Sequence, residues 1–382
     1  MGDQIPLPCW VYRGGTSRGL FFHAADLPVD RNRWDPIFIK CLGSPDLKQV
    51  DGLGGGRSHT SKIVVISPSD RPDADINYLF IQVAVDRIDV DYGGTCGNLL
   101  AAVGAFAVDQ GLVHAVEPTT LVRVYSTNIN RLMTVTVPVV DGKAAGVGEE
   151  GIPGVPGLGA RYPVEFLDPG GCRTGRLFPS GKVIDELTIS GTAYRFSLVD
   201  ASNLFAFVPA EDFSLTGAEA PDALEKNQKT LEVLREIRQR AAEVCGLVRP
   251  GAYADMVSPA FPKIAIVGPP VDYTTNDGQS VAAGDVDLCS RLISMGRVHQ
   301  SYAGTGLIAL ACSSQLSGTV VAEIHRQKKD NSVIRVGHPA GITQVNVVMT
   351  NDSPKILRAG MIRTARQIMS GEIYVPSSLL DF

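Results

Sequence analysis

An internal repeat constrains the fold of this 382-residue chain more than any other feature of its sequence. Three segments of the first half recur, in the same order, in the second half. Each pair runs from a polar or glycine-rich turn into an apolar stretch: 17–26 with 202–212, 61–68 with 262–269, and 96–103 with 303–310. The separation between partners increases steadily along the chain, as insertions in the second copy would make it. The repeat therefore predicts two related domains.

Chain length agrees with this division, because 382 residues exceed what a single hydrophobic core usually holds. Forty glycines and 24 prolines indicate many tight turns, as in a sheet-rich α/β (α+β) fold. We assign residues 1–190 to the first domain, joined by a C-terminal strand within 355–382, and residues 191–354 to the second.

Apolar patterns predict the elements around the repeat. Strands are expected at Lys62–Ile66, Tyr78–Val85, Thr120–Val124 and Met133–Val140. The small apolar residues of 97–107 predict a helix buried within a curved sheet, with its counterpart at 304–313. An amphipathic surface helix is expected over 222–244, and the run Gly151–Gly159 is expected to form a loop.

Charge and cysteine usage exclude several classes of protein. The net charge is -5 and no run of basic residues occurs, which argues against a nucleic-acid partner. No apolar run has the length of a membrane span, and the first residues lack the features of a signal peptide. The seven cysteines are scattered and never spaced as CxxC, which favours a reducing cytoplasm and no metal site. We expect a cytoplasmic homodimer or homotetramer.

Cys96 lies in a glycine-rich turn, GGTCGN, that precedes the predicted central helix. The first N–H groups of a helix bind carboxylates, and the same position favours the thiolate form of a cysteine. Gly97 and Asn98 are therefore candidate substrate-binding residues. In the second copy the matching turn keeps glycines at Gly304 and Gly306, which are substrate-binding candidates for the same reason, but has Ala303 in place of the thiol. The alternative is a structural cysteine packed beneath the helix.

Lys62 begins an apolar strand after a glycine-rich run that does not fit a phosphate-binding loop. An amine held in a cleft has a lowered pKa and serves as a base near neutral pH, whereas a lysine at a strand edge is usually solvated. Ser61 beside it, and Lys263 and Thr305 in the second copy, are further substrate-binding candidates.

The segment RGGTSRG, residues 13–19, combines backbone amides, hydroxyl groups and guanidinium groups. Such a set suits carboxylate binding, and it makes Thr16, Ser17 and Arg18 substrate-binding candidates. The alternative is a β-turn with incidental polar residues.

Taken together, the motifs RGGTSRG, DGLGGGRSHTSK, GGTCGN, SPAFPK, HQSYAGTG, GHPAG and RTARQIM resemble the PrpF family from about residue 8 to 376. That family includes isomerases of methylaconitate, 3-methylitaconate and aconitate and a tautomerase of oxalomesaconate; the motifs resemble most those of the 3-methylitaconate isomerases. The resemblance implies a diaminopimelate epimerase-like fold, with two pseudo-symmetric domains, each a curved sheet around a central helix, and an active site between them.

The resemblance also implies that Lys62 and Cys96 form the catalytic pair. Ala303 removes the second thiol that the related epimerases use, and Arg18 stands where many members of the family have lysine. The expected reaction is an allylic proton shift on a small unsaturated di- or tricarboxylate, with no cofactor and no metal. Which of the two residues is the base and which the acid stays open. The alternatives are a tautomerase of an oxo-polycarboxylate, an epimerase or racemase, and a binding protein without activity.

Overall fold

The structure of the protein is a computed structural model that describes residues 3–325, 332–350 and 355–380. The chain forms two compact units. Unit 1 comprises Met1–Val164 and Ile362–Phe382, and unit 2 comprises Glu165–Met361. The predicted assignment to 1–190 and 191–354 stays a prediction; its second range includes 326–331 and 351–354, which lie outside the described residues.

Strands form most of the regular structure. They are β1 (Gln4–Gly14), β2 (Ser17–His23), β3 (Lys62–Pro68), β4 (Ile76–Val83), β5 (Val90–Asp91), β6 (Thr119–Ser126), β7 (Arg131–Val140), β8 (Lys143–Ala144), β9 (Tyr162–Leu167), β10 (Asp185–Ile189), β11 (Thr192–Ala201), β12 (Asn203–Pro209), β13 (Lys263–Gly268), β14 (Tyr273–Thr274), β15 (Ser280–Val281), β16 (Leu288–Ser294), β17 (Arg297–Val298), β18 (Val333–His338), β19 (Gly341–Met349), β20 (Ile356–Arg363) and β21 (Ala365–Pro376).

Helices lie in the connections between strands. They are α1 (Trp34–Leu42), α2 (Leu100–Asp109), α3 (Pro221–Lys226), α4 (Gln228–Val244), α5 (Ala254–Val257), α6 (Gly304–Ser314) and α7 (Val320–His325). None of the described helices combines the length and the apolar composition that crossing a membrane requires.

Unit 1 contains a run of seven hydrogen-bonded strands in the order β21, β1, β2, β3, β4, β6, β7. Two of the pairings are parallel, β2 with β3 and β4 with β6. Parallel neighbours need a crossover connection, and α1 and α2 lie in these two connections. The C-terminal strand β21 pairs with β1 along its whole length, from Gln4 opposite Pro376 to Gly14 opposite Ala365.

Unit 2 repeats this order with β10, β11, β12, β13, β16, β18 and β19. Its two parallel pairings, β12 with β13 and β16 with β18, occupy the same places in the order. Helices α3 to α5 lie in the first of these connections and α6 and α7 in the second. The duplication predicted from the sequence is therefore confirmed in the strand order of the two units.

The central helix of each unit is buried on all sides, as predicted. Residues 100–108 of α2 and all of α6 are buried. A helix that is apolar around its whole circumference requires a core on every side, and α2 packs against β1, β6, β7, β8 and β21. This packing fixes the turn that carries Cys96, because that turn leads directly into α2.

Two helix boundaries differ from the sequence prediction. Helix α2 begins at Leu100 rather than at Gly97, because residues 97–99 form a turn and glycine and asparagine are poor helix-interior residues. The single helix predicted over 222–244 is two helices. Asn227 separates them, since its side chain accepts a hydrogen bond from the Thr230 N–H and caps α4.

Phe106 of α2 is the aromatic centre of unit 1. Its ring lies 5.5 Å from Trp10, 5.9 Å from Tyr12, 5.6 Å from Phe21 and 4.9 Å from His23. We expect Phe106→Ala to lower the free energy of unfolding by about 3–5 kcal/mol, because it leaves a cavity among these rings. Denaturant unfolding measures the change. Tyr374→Ala is the control, since that ring is 56% exposed, and an equal loss in both variants would contradict the packing argument.

Candidate active site

Lys62 is held inside unit 1 at the first position of β3. Its side chain is only 9% exposed. The ammonium nitrogen Nζ donates a hydrogen bond to Gln82 Oε1 at 2.7 Å and lies 4.8 Å from the centre of the Phe80 ring. Both partners belong to the neighbouring strand β4, where Gln82 stands directly opposite Lys62. The solvated lysine that the sequence left open is not what the structure shows.

Gln82 is locked so that its carbonyl oxygen faces the amine. Its Nε2 donates to the backbone oxygens of Ser61 at 2.8 Å and Ser58 at 3.0 Å. Because both of these partners accept hydrogen bonds, the amide nitrogen must point to them and Oε1 must point to Lys62. The sequence analysis did not identify Gln82, since only the strand register brings it to Lys62.

Burial lowers the pKa of Lys62, because removing an ammonium group from water disfavours its charged form. The electrostatic effect of Cys96 acts in the opposite direction and is the smaller of the two. Cys96 is therefore an electrostatic neighbour of Lys62, and their role as a catalytic pair stays a prediction. A larger fraction of the amine is neutral near pH 7 than in an exposed lysine.

Cys96 stands just before the turn that opens α2 and is 8% exposed. Its Sγ donates to Ser17 Oγ at 3.8 Å, and its backbone oxygen accepts a hydrogen bond from the Tyr78 hydroxyl at 3.3 Å. Burial, and secondarily the thiol, raises the pKa of Tyr78 well above its usual value, so that this hydroxyl stays a hydrogen-bond donor. The position of Cys96 is thus fixed through both its backbone and its side chain.

Asn98 connects Thr16 to Arg363, a residue that the sequence analysis did not single out. Its Nδ2 donates to Thr16 Oγ1 at 3.0 Å, and its Oδ1 accepts from Arg363 Nε at 3.0 Å. Arg363 is 4% exposed, and burial lowers its pKa to about 10, with Cys96 raising it. The motif RTARQIM contained this arginine, but nothing in its spacing related it to Cys96.

The glycines of RGGTSRG allow the backbone to approach the turn before α2. A Cβ at Gly15, whose φ is +52°, would lie 2.7 Å from Asn98 Oδ1 and 3.0 Å from Arg363 Cδ. Arg13 holds this turn, since its Nη1 donates to the backbone oxygens of Gly15 at 3.2 Å and Thr364 at 2.9 Å. Part of this motif therefore serves packing, while Thr16 and Ser17 contact the residues around Cys96.

Arg18 follows Ser17 in β2, and its Nη2 donates a hydrogen bond to the Leu53 backbone oxygen at 3.2 Å. His59 nearby has a lowered pKa, caused first by burial and then by the positive charges of Lys62, Arg57 and Arg18. The neighbourhood of Lys62 is thus a cationic environment, which suits an anionic ligand.

The other predicted substrate-binding residues have internal partners. Ser61 is fully buried; its hydroxyl donates to the Val83 backbone oxygen at 2.9 Å and accepts from Gln49 Nε2 at 2.8 Å. Its role in binding stays a prediction. Gly97 begins the turn before α2 and has its predicted place beside Cys96 and Asn98.

In unit 2, Lys263 Nζ donates to the Ala260 backbone oxygen at 3.0 Å and lies 4.0 Å from the centre of the Phe261 ring. Gly304, Thr305 and Gly306 form the first turn of α6 and are buried. The Thr305 backbone oxygen accepts from Ser202 Oγ at 2.9 Å. The predicted role of these four residues in substrate binding stays a prediction.

The arrangement in unit 1 can transfer protons. The Lys62 amine, whose pKa burial lowers, and the Cys96 thiol belong to the same unit, and none of the carboxylates that the structure describes neutralises Lys62 or Arg363. Among the described residues, no Asp or Glu oxygen lies within 4.0 Å of Lys62 Nζ or of the Arg363 guanidinium. Within the same part of the chain, no group of three or more His, Cys, Asp or Glu side chains could hold a metal ion.

The sequence is similar to one known protein family and to isomerases over nearly its whole length. Residues 4–376 match the family described as PrpF protein. The chain is 42% identical, over 100% of both chains, to a 3-methylitaconate isomerase of Eubacterium barkeri. It is 35% identical to a 2-methyl-aconitate isomerase of Shewanella oneidensis, over 98% of both chains.

Solved structures show the same fold. A crystal structure of methylitaconate-delta-isomerase matches with a TM-score of 0.84 and 41% identity, covering 100% of this chain and 98% of that one. A hydroxyproline epimerase from Agrobacterium vitis matches with a TM-score of 0.56 and 14% identity, covering 98% of this chain and 93% of that one; this likeness concerns the fold alone. The predicted diaminopimelate epimerase-like α/β fold is confirmed.

Proposed function

Because the chain belongs to the PrpF family, we propose that it is an isomerase that moves a proton along the allylic system of a small unsaturated di- or tricarboxylate. The first candidate substrate is 3-methylitaconate. The observation that carries the proposal is the buried Lys62 amine, with its lowered pKa, interacting with Cys96 in a chain that is 42% identical to a 3-methylitaconate isomerase.

In the proposed reaction, neutral Lys62 removes a proton from the sp³ carbon that bears a carboxylate and adjoins the C=C bond. The electron pair left behind spreads over the allyl system and the attached carboxylate as a dienolate. Cys96 then delivers its thiol proton to the far allylic carbon, and the double bond moves by one position. Proton exchange with solvent afterwards restores the neutral amine and the thiol. No electrons leave or enter the substrate, so the proposal requires no cofactor.

The cationic surroundings support this chemistry. A dienolate carries more negative charge on its carboxylate than the substrate does, and fixed positive groups in a site with little water stabilise such charge. The positive charges around His59 come from the same unit as Lys62 and Cys96.

The test is a substrate panel followed by proton NMR in D₂O. The panel contains 3-methylitaconate, itaconate, methylaconitate, cis-aconitate and oxalomesaconate. Conversion of 3-methylitaconate with solvent deuterium at the newly protonated carbon is the expected result. Turnover of none of the five compounds would contradict the proposed function, and turnover of oxalomesaconate alone would favour the tautomerase instead.

The pH dependence of turnover tests the role of Gln82. The base must be neutral, so kcat is expected to rise with pH through the lowered pKa of Lys62. Gln82→Glu places a carboxylate at the atom that accepts from Nζ, stabilises the ammonium form and raises that pKa. We expect the rising limb of the profile to move up by about 1–3 pH units. Gln228→Glu, an exposed position on α4, controls for the added charge and should leave the profile unchanged.

We further propose that the enzyme works in the cytoplasm as a homodimer or homotetramer. All seven cysteines are free thiols, which supports a reducing compartment. Light scattering coupled to size-exclusion chromatography measures the assembly, and a monomeric mass would contradict this part of the proposal.

A further inference from the structure

Arg363 is a buried cation that no carboxylate in the described part of the chain neutralises. Its side chain is 4% exposed, and among the described residues no carboxylate pairs with it. Burying an unpaired charge is costly, and proteins normally pair such a group or reserve it for a ligand. A buried arginine without a carboxylate partner is suited to bind an anionic group of a ligand.

The guanidinium group is held in one orientation. Nε donates to Asn98 Oδ1 at 3.0 Å and Nη1 donates to the Ile362 backbone oxygen at 2.8 Å. Nη2 has no hydrogen-bond partner within the described part of the chain. Unlike the fully buried polar atoms that lack a partner, Nη2 keeps some accessible surface. The fork is therefore fixed by two of its nitrogens, while the third is open to a ligand.

The residues around Arg363 show that its guanidinium group lies on the Cys96 side of the candidate site. Burial lowers the pKa of Arg363 and Cys96 raises it, so the guanidinium lies within electrostatic range of the thiol. Asn98, which accepts from Nε, is two residues from Cys96 and also donates to Thr16. Gly15 leaves the space for this arrangement, since a Cβ there would meet both Asn98 and Arg363.

We propose that Arg363 binds the substrate carboxylate attached to the central allylic carbon and so places the far allylic carbon next to Cys96. This inference rests on the proposed function and deepens it: the substrate must carry a carboxylate on the vinyl carbon. A planar fork suits a carboxylate better than a thiolate, because it can offer parallel N–H donors to two oxygens. Little charge develops on this carboxylate during the proton shift, so Arg363 serves binding more than the chemical step.

Alkylation of Cys96 tests the inference without using the isomerase reaction. Iodoacetamide and iodoacetate both transfer a carbon to the thiolate sulfur, forming an S–C bond as iodide leaves, and they differ in that iodoacetate carries a carboxylate. The ratio of their rates at Cys96, measured by mass spectrometry, is compared with the ratio for N-acetylcysteine. We expect the wild-type protein to favour iodoacetate about 10–100-fold more than N-acetylcysteine does.

Variants separate the charge of Arg363 from its contribution to folding. Arg363→Gln should abolish most of the preference for iodoacetate, and Arg363→Lys should keep part of it, because the charge remains without the fork. Arg366→Gln is the matched control: this arginine lies three residues later, is exposed and should retain the wild-type ratio. If Arg363→Gln does not fold, Arg363→Lys and the wild-type ratio still decide the question, since a wild-type ratio equal to that of N-acetylcysteine would overturn the assignment.

Kinetics provide the second measurement. With 3-methylitaconate, Arg363→Gln should raise KM about 10–100-fold and change kcat little, since uniform binding is lost. Wild-type turnover with an unchanged KM and an unchanged alkylation ratio in Arg363→Gln would overturn the assignment of Arg363 while the proposed function stands. No turnover by the wild type, together with a preference for iodoacetate that Arg363→Gln removes, would overturn the proposed function while the carboxylate site stands. Resistance of Cys96 to both reagents would count against an open anion site beside it.

Discussion

Lys62→Ala is expected to lower kcat by about 10²–10⁴-fold, because it removes the proposed general base. The structure gives this residue the two properties that a base requires. Burial lowers its pKa, and Gln82 Oε1, at 2.7 Å, holds Nζ in one place. KM should change much less, since the proposed carboxylate ligands stay in the variant. Steady-state kinetics with 3-methylitaconate at several pH values measure both parameters.

Deuterium exchange makes this prediction specific to proton abstraction. In D₂O the wild-type enzyme should incorporate deuterium into recovered substrate, whereas Lys62→Ala should lose exchange and turnover together. Lys40→Ala is the control, because Lys40 lies in the same unit and pairs with Asp51 at the surface. Exchange at the wild-type rate in Lys62→Ala would show that another group is the base.

The repeat made the architecture predictable from the sequence. Three collinear segments were enough to predict two related halves, because each segment carries a strand or helix that the hydrophobic pattern identifies by itself. In the structure, equivalent strands of the two halves form equivalent pairs; for example, the parallel pair of β2 with β3 in unit 1 corresponds to that of β12 with β13 in unit 2. Boundaries were less predictable. Asn227 ends one helix and caps the next, and a side-chain hydrogen bond of this kind is not visible in the apolar pattern.

The site was predictable only where its residues lie in recognisable segments. Lys62 opens a strand and Cys96 precedes a helix, and both positions follow from the sequence. Gln82 and Arg363 do not, because tertiary register decides their roles. Gln82 reaches Lys62 across a strand pair, and Arg363 reaches Asn98 from the far end of the chain. Neither contact can be predicted from the spacing of motifs or from the composition of the sequence.

The motif RGGTSRG illustrates the same limit within seven residues. Its amides, hydroxyls and guanidinium groups suggested a carboxylate site as a whole. The structure divides it: Arg13 and Gly15 hold the turn against Thr364 and Asn98, and Thr16 and Ser17 face the residues around Cys96. Chemical type alone could not separate the packing residues from the candidate binding residues, because both uses need close approach of the backbone and polar donors.

Cys96→Ser is expected to lower kcat about 10²–10⁴-fold by a different route from Lys62→Ala, since a hydroxyl is a far weaker acid than a thiol and returns the proton poorly. Lys62 remains in this variant, so proton abstraction continues and the dienolate returns to substrate. Recovered substrate should then gain deuterium faster than product forms, which raises the ratio of exchange to turnover above that of the wild type. Cys172→Ser, at a thiol in unit 2 that donates to the Pro169 backbone oxygen, is the control and should keep the wild-type ratio. Proton NMR of a single reaction in D₂O yields both rates. If Cys96→Ser loses exchange while Lys62→Ala retains it, the two residues have the opposite roles, with the thiolate as base and the ammonium group as acid.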